Sequence, residues 1–234
     1  AANVNLRHGA VDVLPLPMEQ VVIFTERIRS AGRLEMRLPG RYWRSDKMDL
    51  ATCLKKMELV GVLAFATVDS EGAPQIRNIS AIHYEPDALY FFTARGKNFC
   101  KELIEDGRVQ ILAYTKYKEM IRLSGKAYAV AENEQKKWMD CIFEEQPYLA
   151  NVYPGDTREI GIIFCIDQAE VEYFNLGVNP IFRETYILGN VSIKEKGYYI
   201  TESCIGCGTC MKHCPQKCIE KGTPFVIRQE HCLH

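Results

Sequence analysis

Six of the chain's ten cysteines, Cys204, Cys207, Cys210, Cys214, Cys218 and Cys232, fall within its last 31 residues. The first four read Cys204-Ile-Gly-Cys207-Gly-Thr-Cys210-Met-Lys-His-Cys214-Pro215, a C-x2-C-x2-C-x3-C-P run. Three thiolates on one tight loop can hold three corners of an iron–sulfur cube. Gly206 and Gly208 let the backbone fold closely and aim N–H groups at the sulfurs, and Pro215 stops the chain from following the loop. Zinc is the rival, because thiolates bind it too. Zinc sites usually pair two CxxC hairpins at a distance, whereas three cysteines in one x2-x2 series is the cube-binding arrangement. A secreted disulfide scaffold is small and cysteine-rich throughout. Clustering at one end of a larger chain instead points to thiolate ligands in a reducing cytosol, so a cytoplasmic protein is expected.

The rest of the chain sets broad limits. At 234 residues it has room for one or two domains. Its 29 basic and 30 acidic residues nearly cancel, which leaves no electrostatic footprint for nucleic acid. Apolar stretches such as Gly161–Ile166 fall far short of the roughly 18 residues needed to span a bilayer, so no membrane partner is expected. No charged start leads into an apolar stretch and a small-residue cleavage site. Residues 1–47 hold several breakers (Gly9, Pro15, Pro17, Gly32, Pro39 and Gly40) and weak periodicity. They read as an N-terminal extension, either translated upstream sequence with Met48 as the natural start or an ordinary arm.

From Met48 the pattern is regular. Leu50, Leu54 and Met57 predict a helix over 49–59. Val60–Val68, Pro74–Tyr84 and Leu89–Thr93 read as strands separated by the turns Asp69–Gly72 and Glu85–Asp87. A helix over Lys97–Asp106, strands over Val109–Tyr114 and Ile121–Ala129, a helix over Glu132–Glu145 and one long strand over Ile160–Phe174 follow. Turns this short exclude parallel crossovers. The expected fold class is therefore mainly β (α+β): a small closed antiparallel barrel with flanking helices over 48–175. Residues 176–195 read as a linker, and 196–234 as the iron–sulfur module.

From about Gly197 onward the chain resembles a bacterial-type, two-cluster 4Fe-4S ferredoxin domain. Tyr198–Ile200 and Phe225–Ile227 match the strands that lead into its two cluster loops. The resemblance implies that Cys204, Cys207 and Cys210 hold the first cluster, while Cys214 and Cys232 belong to the second. It also implies two clusters in the intact protein and a sequence cut off at His234, with both ligand sets incomplete. Cys218 falls where such domains place a small apolar residue against the cluster. Cys53, Cys100 and Cys165 read as buried thiols, and Cys141 has no assignment.

Residues 48–175 resemble the pyridoxamine 5′-phosphate oxidase-like family of FMN-binding split barrels. The matching stretches are Ala66–Arg77, Leu89–Thr93, Gly96–Asn98 and Ile121–Ala127. This implies a split barrel and a homodimer with FMN bound in clefts at the subunit interface. By family position Arg77 and Lys97 are the phosphate-side cations, and Thr93 and Asn98 supply hydrogen bonds. Asn78, Ile79 and Phe92 line the flavin. No catalytic residue is assigned. Arg122 is a further contact or a structural ion pair. His83, with no acid or nucleophile partner visible, reads as structural. Pyridoxamine phosphate oxidase activity itself is not expected, because the linker and the ferredoxin module replace the region that closes its substrate site.

FMN exchanges electrons singly or in pairs, and clusters move one at a time. The leading expectation is an FMN-dependent oxidoreductase that passes electrons between 4Fe-4S clusters and FMN and acts on an unidentified small molecule. The alternative is a non-enzymatic electron carrier or redox sensor that acts on a protein partner. A third reading fills the barrel with haem, for which His83 is a poor ligand.

Overall fold

The computed structural model describes residues 48–193 and 196–233, all within one compact unit, Lys47–His234. The expectation for residues 1–47 lies outside the described residues. Helix α1 (Leu50–Val60) starts where the Asp49 carboxylate accepts the Thr52 N–H at 2.8 Å, and it ends at Gly61, whose positive φ of 75° releases the chain. Its buried face is Cys53, Leu54 and Met57. Lys56 ties that helix to the barrel through Glu119, at 2.8 and 3.0 Å.

Two sheets form the barrel. One has six strands: β1 (Leu63–Val68), β2 (Pro74–Ile79), β5 (Arg108–Tyr114), β6 (Glu119–Lys126), β9 (Ala169–Asn175) and β10 (Phe182–Leu188). Their order is β10-β9-β6-β5-β1-β2. The other sheet runs β3 (Ile82–Tyr84), β4 (Leu89–Ala94), β8 (Gly161–Ile166), β7 (Tyr128–Ala129), and every pairing is antiparallel. β2 continues into β3 across Ser80-Ala81, and β6 into β7 across Ala127. These bends carry both ends of the smaller sheet onto the larger one and close the barrel.

Four readings of the sequence change here. The strand expected over Pro74–Tyr84 is broken in two, as is Ile121–Ala129. The long strand expected over Ile160–Phe174 is instead the hairpin β8–β9, which turns at Asp167-Gln168. Core-facing positions change parity at two of the breaks, from Ile79 to Ile82 and from Ile166 to Ala169, so an apolar run that looks continuous hides an interrupted alternation. Residues 176–195 are not a linker throughout, since β10 pairs with β9 over seven residues, Phe182↔Asn175 to Leu188↔Ala169.

Alternate strand residues fill the barrel, with Phe65, Phe91 and Phe164 fully buried. Helix α2 (Asn98–Glu105) adds Phe99, Cys100 and Leu103 to this core. Helix α3 (Glu132–Glu145) covers the smaller sheet with Trp138, Met139 and Ile142. The Gln135 amide fixes its position: it accepts the Ile163 N–H at 2.7 Å and donates to the carbonyls of Val130 (2.7 Å) and Ile163 (3.1 Å). The short helix α4 (Leu149–Val152) follows.

The C-terminal module has helix α5 (Thr209–His213) and a two-stranded sheet of β11 (Ile219–Glu220) and β12 (Val226–Ile227). Phe225 and Cys218 are its buried residues. It seats on the barrel beside β10, where the His231 Nδ1–H donates to the Ile181 carbonyl at 2.7 Å. Among the described residues no helix is long and apolar enough to cross a membrane.

His83 on β3 has partners that the sequence did not reveal. Its Nδ1 lies 2.9 Å from Glu145 at the end of α3, and its Nε2 lies 3.0 Å from Glu85. Partial burial alone would lower its pKa, but the two carboxylates outweigh that and raise it above the ordinary 6.5. A raised folded value contributes stability below the unfolded pKa and loses it as pH rises through the folded one. The melting-temperature difference between the native chain and His83→Gln should therefore be largest below pH 6.5 and shrink on raising the pH. A pH-independent difference would show that the ring is neutral.

Candidate flavin cavity and cluster loop

A cavity of about 640 Å³ opens where β2, β4 and the start of α2 meet the Asp69–Gly72 turn. All seven residues assigned to the flavin line it: Arg77, Asn78 and Ile79 from β2, Phe92 and Thr93 from β4, and Lys97 and Asn98 at the mouth of α2. They are 21 residues apart in sequence at the extremes, and barrel closure brings them together. The volume suits a mononucleotide-sized ligand. Lys97 is the N-cap of α2, so the helix's unsatisfied first-turn N–H groups begin beside it. Lys97 has no ion pair among the described residues.

Arg77 is held from three sides. Its NH2 lies 2.7 Å from the Glu102 carboxylate, its NH1 donates to the Thr67 hydroxyl, and its guanidinium carbon sits 4.6 Å from the Phe99 ring centre. Thr67 in turn donates to the same Glu102 oxygen at 2.5 Å. Thr67, Phe99 and Glu102 are all buried. The sequence reading missed Thr67, Phe99, Lys101 and Glu102. Only the strand register, which sets Arg77 beside Thr67, and the helical spacing from Lys97 to Lys101 hinted at them. Arg122 lies outside this cavity and ion-pairs with buried Glu172 across β6 and β9. With both His83 nitrogens engaged by carboxylates, that ring is not free to bind a haem iron.

The Phe92 ring lies against Gly161, a diagonal neighbour on β8, while its register partner is Ile163. A Cβ on Gly161 would run into the Phe92 ring edge and lie 2.9 Å from the Arg158 carbonyl oxygen. Phe143 and Tyr153 pin the ring at 5.4 and 5.0 Å.

In the module, Gly206 and Gly208 both take positive φ, 71° and 72°. The Gly206 N–H donates to the Cys204 sulfur at 3.4 Å, an aim the run's glycines lead one to expect. The Cys207 thiol is drawn below its ordinary pKa by Thr209, through its side chain and backbone, which favours the thiolate a metal needs. Cys210 lies on α5 and Cys214 directly after it. Cys218 is buried, as a packing residue should be. Its sulfur also lies 3.5 Å from Cys214, and burial followed by the Cys214 contact pushes its pKa up to about 12. Among the described residues no group of three or more His, Cys, Asp or Glu is gathered for a single metal ion.

Family models match in the same order. Residues 54–160 match the pyridoxamine 5′-phosphate oxidase model, and 198–220 match the 4Fe-4S binding domain. Over residues 54–160 the barrel is similar to the pyridoxamine 5′-phosphate oxidase family. It is joined to a 4Fe-4S domain, and the pair places the chain among redox proteins. Solved structures similar to the chain include a nimC/nimA family protein from Clostridium acetobutylicum, with 21% identity over 58% of this chain and 90% of that one, at a TM-score of 0.49. A pyridoxamine 5′-phosphate oxidase-related, FMN-binding protein from Nostoc punctiforme shows 17% identity over 59% and 88%, at 0.42. A haem-binding protein from Mycobacterium smegmatis shows 14% over 60% and 59%, at 0.48. With all three scores this low, the family assignment rests on the sequence-family matches. No curated protein matches the chain.

Gly161→Ala is expected to destabilise the protein by about 1–3 kcal/mol, the usual range for overpacking a filled core. Urea denaturation measures this; a neutral result would mean that the Phe92 ring moves aside freely.

Proposed function

We propose that this chain is an FMN-dependent oxidoreductase that works as a cytoplasmic homodimer. In this reading electrons pass between 4Fe-4S clusters on the module and FMN in the cavity, to reduce or oxidise a small molecule. The supporting observation is the convergence of Arg77, Asn78, Ile79, Phe92, Thr93, Lys97 and Asn98 on one cavity, in a chain that also carries the cluster cysteines. When bound, FMN supplies chemistry in one- or two-electron steps and the clusters single-electron transfer.

The chain's own residues position these groups. Arg77 and Lys97 offer charge-assisted hydrogen bonds to a phosphate, and the Thr93 hydroxyl and Asn98 amide add neutral ones. Ile79 and Phe92 keep water from the ring, and Asn78 offers an amide at its edge. On the module, Cys204, Cys207 and Cys210 are assigned to one cluster, and Cys214 and Cys232 to a second. A second copy of the chain is the partner proposed for the outer face of the six-stranded sheet, where Ile76, Leu112 and Tyr114 stand 74%, 39% and 54% exposed. A protein electron donor or acceptor is favoured at the cluster loop, where Tyr198, Tyr199 and Ile205 are all exposed.

An anaerobic absorption spectrum of the full chain during stepwise reduction tests this reading. Flavin bands over a broad iron–sulfur shoulder, both bleaching, are expected; clusters without flavin would overturn it. Turnover with a small molecule alone, without a protein partner, separates an enzyme from a carrier. Lys97→Ala should weaken FMN binding by about tenfold or more, the scale of one charge-assisted hydrogen bond. Quenching of flavin fluorescence measures this, and unchanged affinity would remove Lys97 from the phosphate site.

A further inference from the structure

A cavity meant for an anion is not expected to bury a carboxylate beside its arginine, yet Glu102 is only 5% exposed and sits 2.7 Å from Arg77. The other acids of the cavity are different. Asp69 turns its carboxylate to the N–H groups of Glu71 and Ala73, at 3.0 and 2.8 Å, and Glu105 lies on the exposed side of α2, 3.8 Å from Lys101. Glu102 alone is buried in direct contact with the cation that faces the ligand space.

We propose that Glu102 is the built-in counter-ion of Arg77, and that it limits how much anionic charge the cavity accepts. The proposal rests on the reading that the cavity holds a phosphate-bearing flavin. The guanidinium has five N–H donors, and two bonds, to Glu102 and Thr67, leave others for a ligand. Arg77 and Thr67 both donate to one Glu102 oxygen, and Phe99 backs the guanidinium face, so Arg77 is held in place without a ligand. An arginine this enclosed, with 22% of its side chain exposed, would be costly to leave unpaired. The same carboxylate cancels most of the attraction that Arg77 exerts on an incoming phosphate, because the neutral pair presents little net field. Lys97, unpaired among the described residues, then carries most of the net charge that draws the phosphate. Glu102 is thus a specificity-determining residue that acts through Arg77: it tolerates a neutral isoalloxazine–ribityl ligand and weakens binding of the charged end.

The test is titration of the full-length protein with FMN, riboflavin and inorganic phosphate, comparing the native chain with Glu102→Gln. Glutamine keeps the shape and an accepting oxygen but removes the charge. FMN should bind about tenfold more tightly, the effect of one nearby unit charge in a partly wet site, while riboflavin changes less than about twofold. Inorganic phosphate should raise the melting temperature more in the variant than in the native chain. Unchanged or weaker FMN and phosphate binding, or an equal shift for riboflavin, would overturn the proposal. If the native chain binds neither flavin, the flavin reading fails, and the phosphate arm still decides the role of Glu102. If Glu102→Gln is too unstable to titrate, Glu102→Asp, which withdraws the carboxylate by one methylene, should tighten FMN by a smaller factor. No tightening there would likewise count against the proposal.

Discussion

The site depends on the antiparallel register between β1 and β2. Phe65 faces Arg77 and Thr67 faces Gln75, so side chains of one parity on both strands enter the same space above α2. A slip of one residue would turn Arg77 to the outer face, where Ile76 now stands. The Asp69 turn fixes that register. Its carboxylate takes the N–H groups of Glu71 and Ala73, and Gly72 supplies the positive φ of 83° that the bend requires. Burial then holds Arg77 in place: Thr67 and Glu102 are too enclosed to be satisfied by water, so each needs the guanidinium as much as it needs them.

The sequence made much of this legible, for identifiable reasons. Helix starts, tight turns and apolar alternation are local signals, and they located α1, α2, α3, β4 and β5 to within a residue or two. The cysteine run is also local, and the glycine N–H aimed at Cys204 follows from its spacing. The strand breaks were hidden because apolar core residues stand on both sides of the bends, Ile79 and Ile82 at one and Ile166 and Ala169 at another, with no glycine or proline between them. β10 was hidden because Phe182–Leu188 lies among Asn179-Pro180 and Gly189-Asn190, turn signals that bound a strand as readily as they mark a linker. Glu102 and the carboxylates around His83 were invisible for a different reason. Their partners lie 25 and 62 residues away, at Arg77 for Glu102 and His83 for Glu145, and only closure of the barrel brings them together.

The same closure separates the two redox-type features along the sheet. The cavity lies at the β2 edge of the six-stranded sheet, and the module seats beside β10 at the other edge. Five strand spacings lie between, roughly 24 Å measured along the sheet. The outer face between them carries Ile76, Leu112 and Tyr114 toward the cavity and the ion-paired Arg122, Glu172, Glu170 and Lys196 toward the module. Were two copies to meet across this face, a two-fold axis parallel to the strands would lay the β10 edge of one over the β2 edge of the other, whereas an axis perpendicular to them would stack like edges. The sheet order alone thus limits how the cavities and modules of two copies could align.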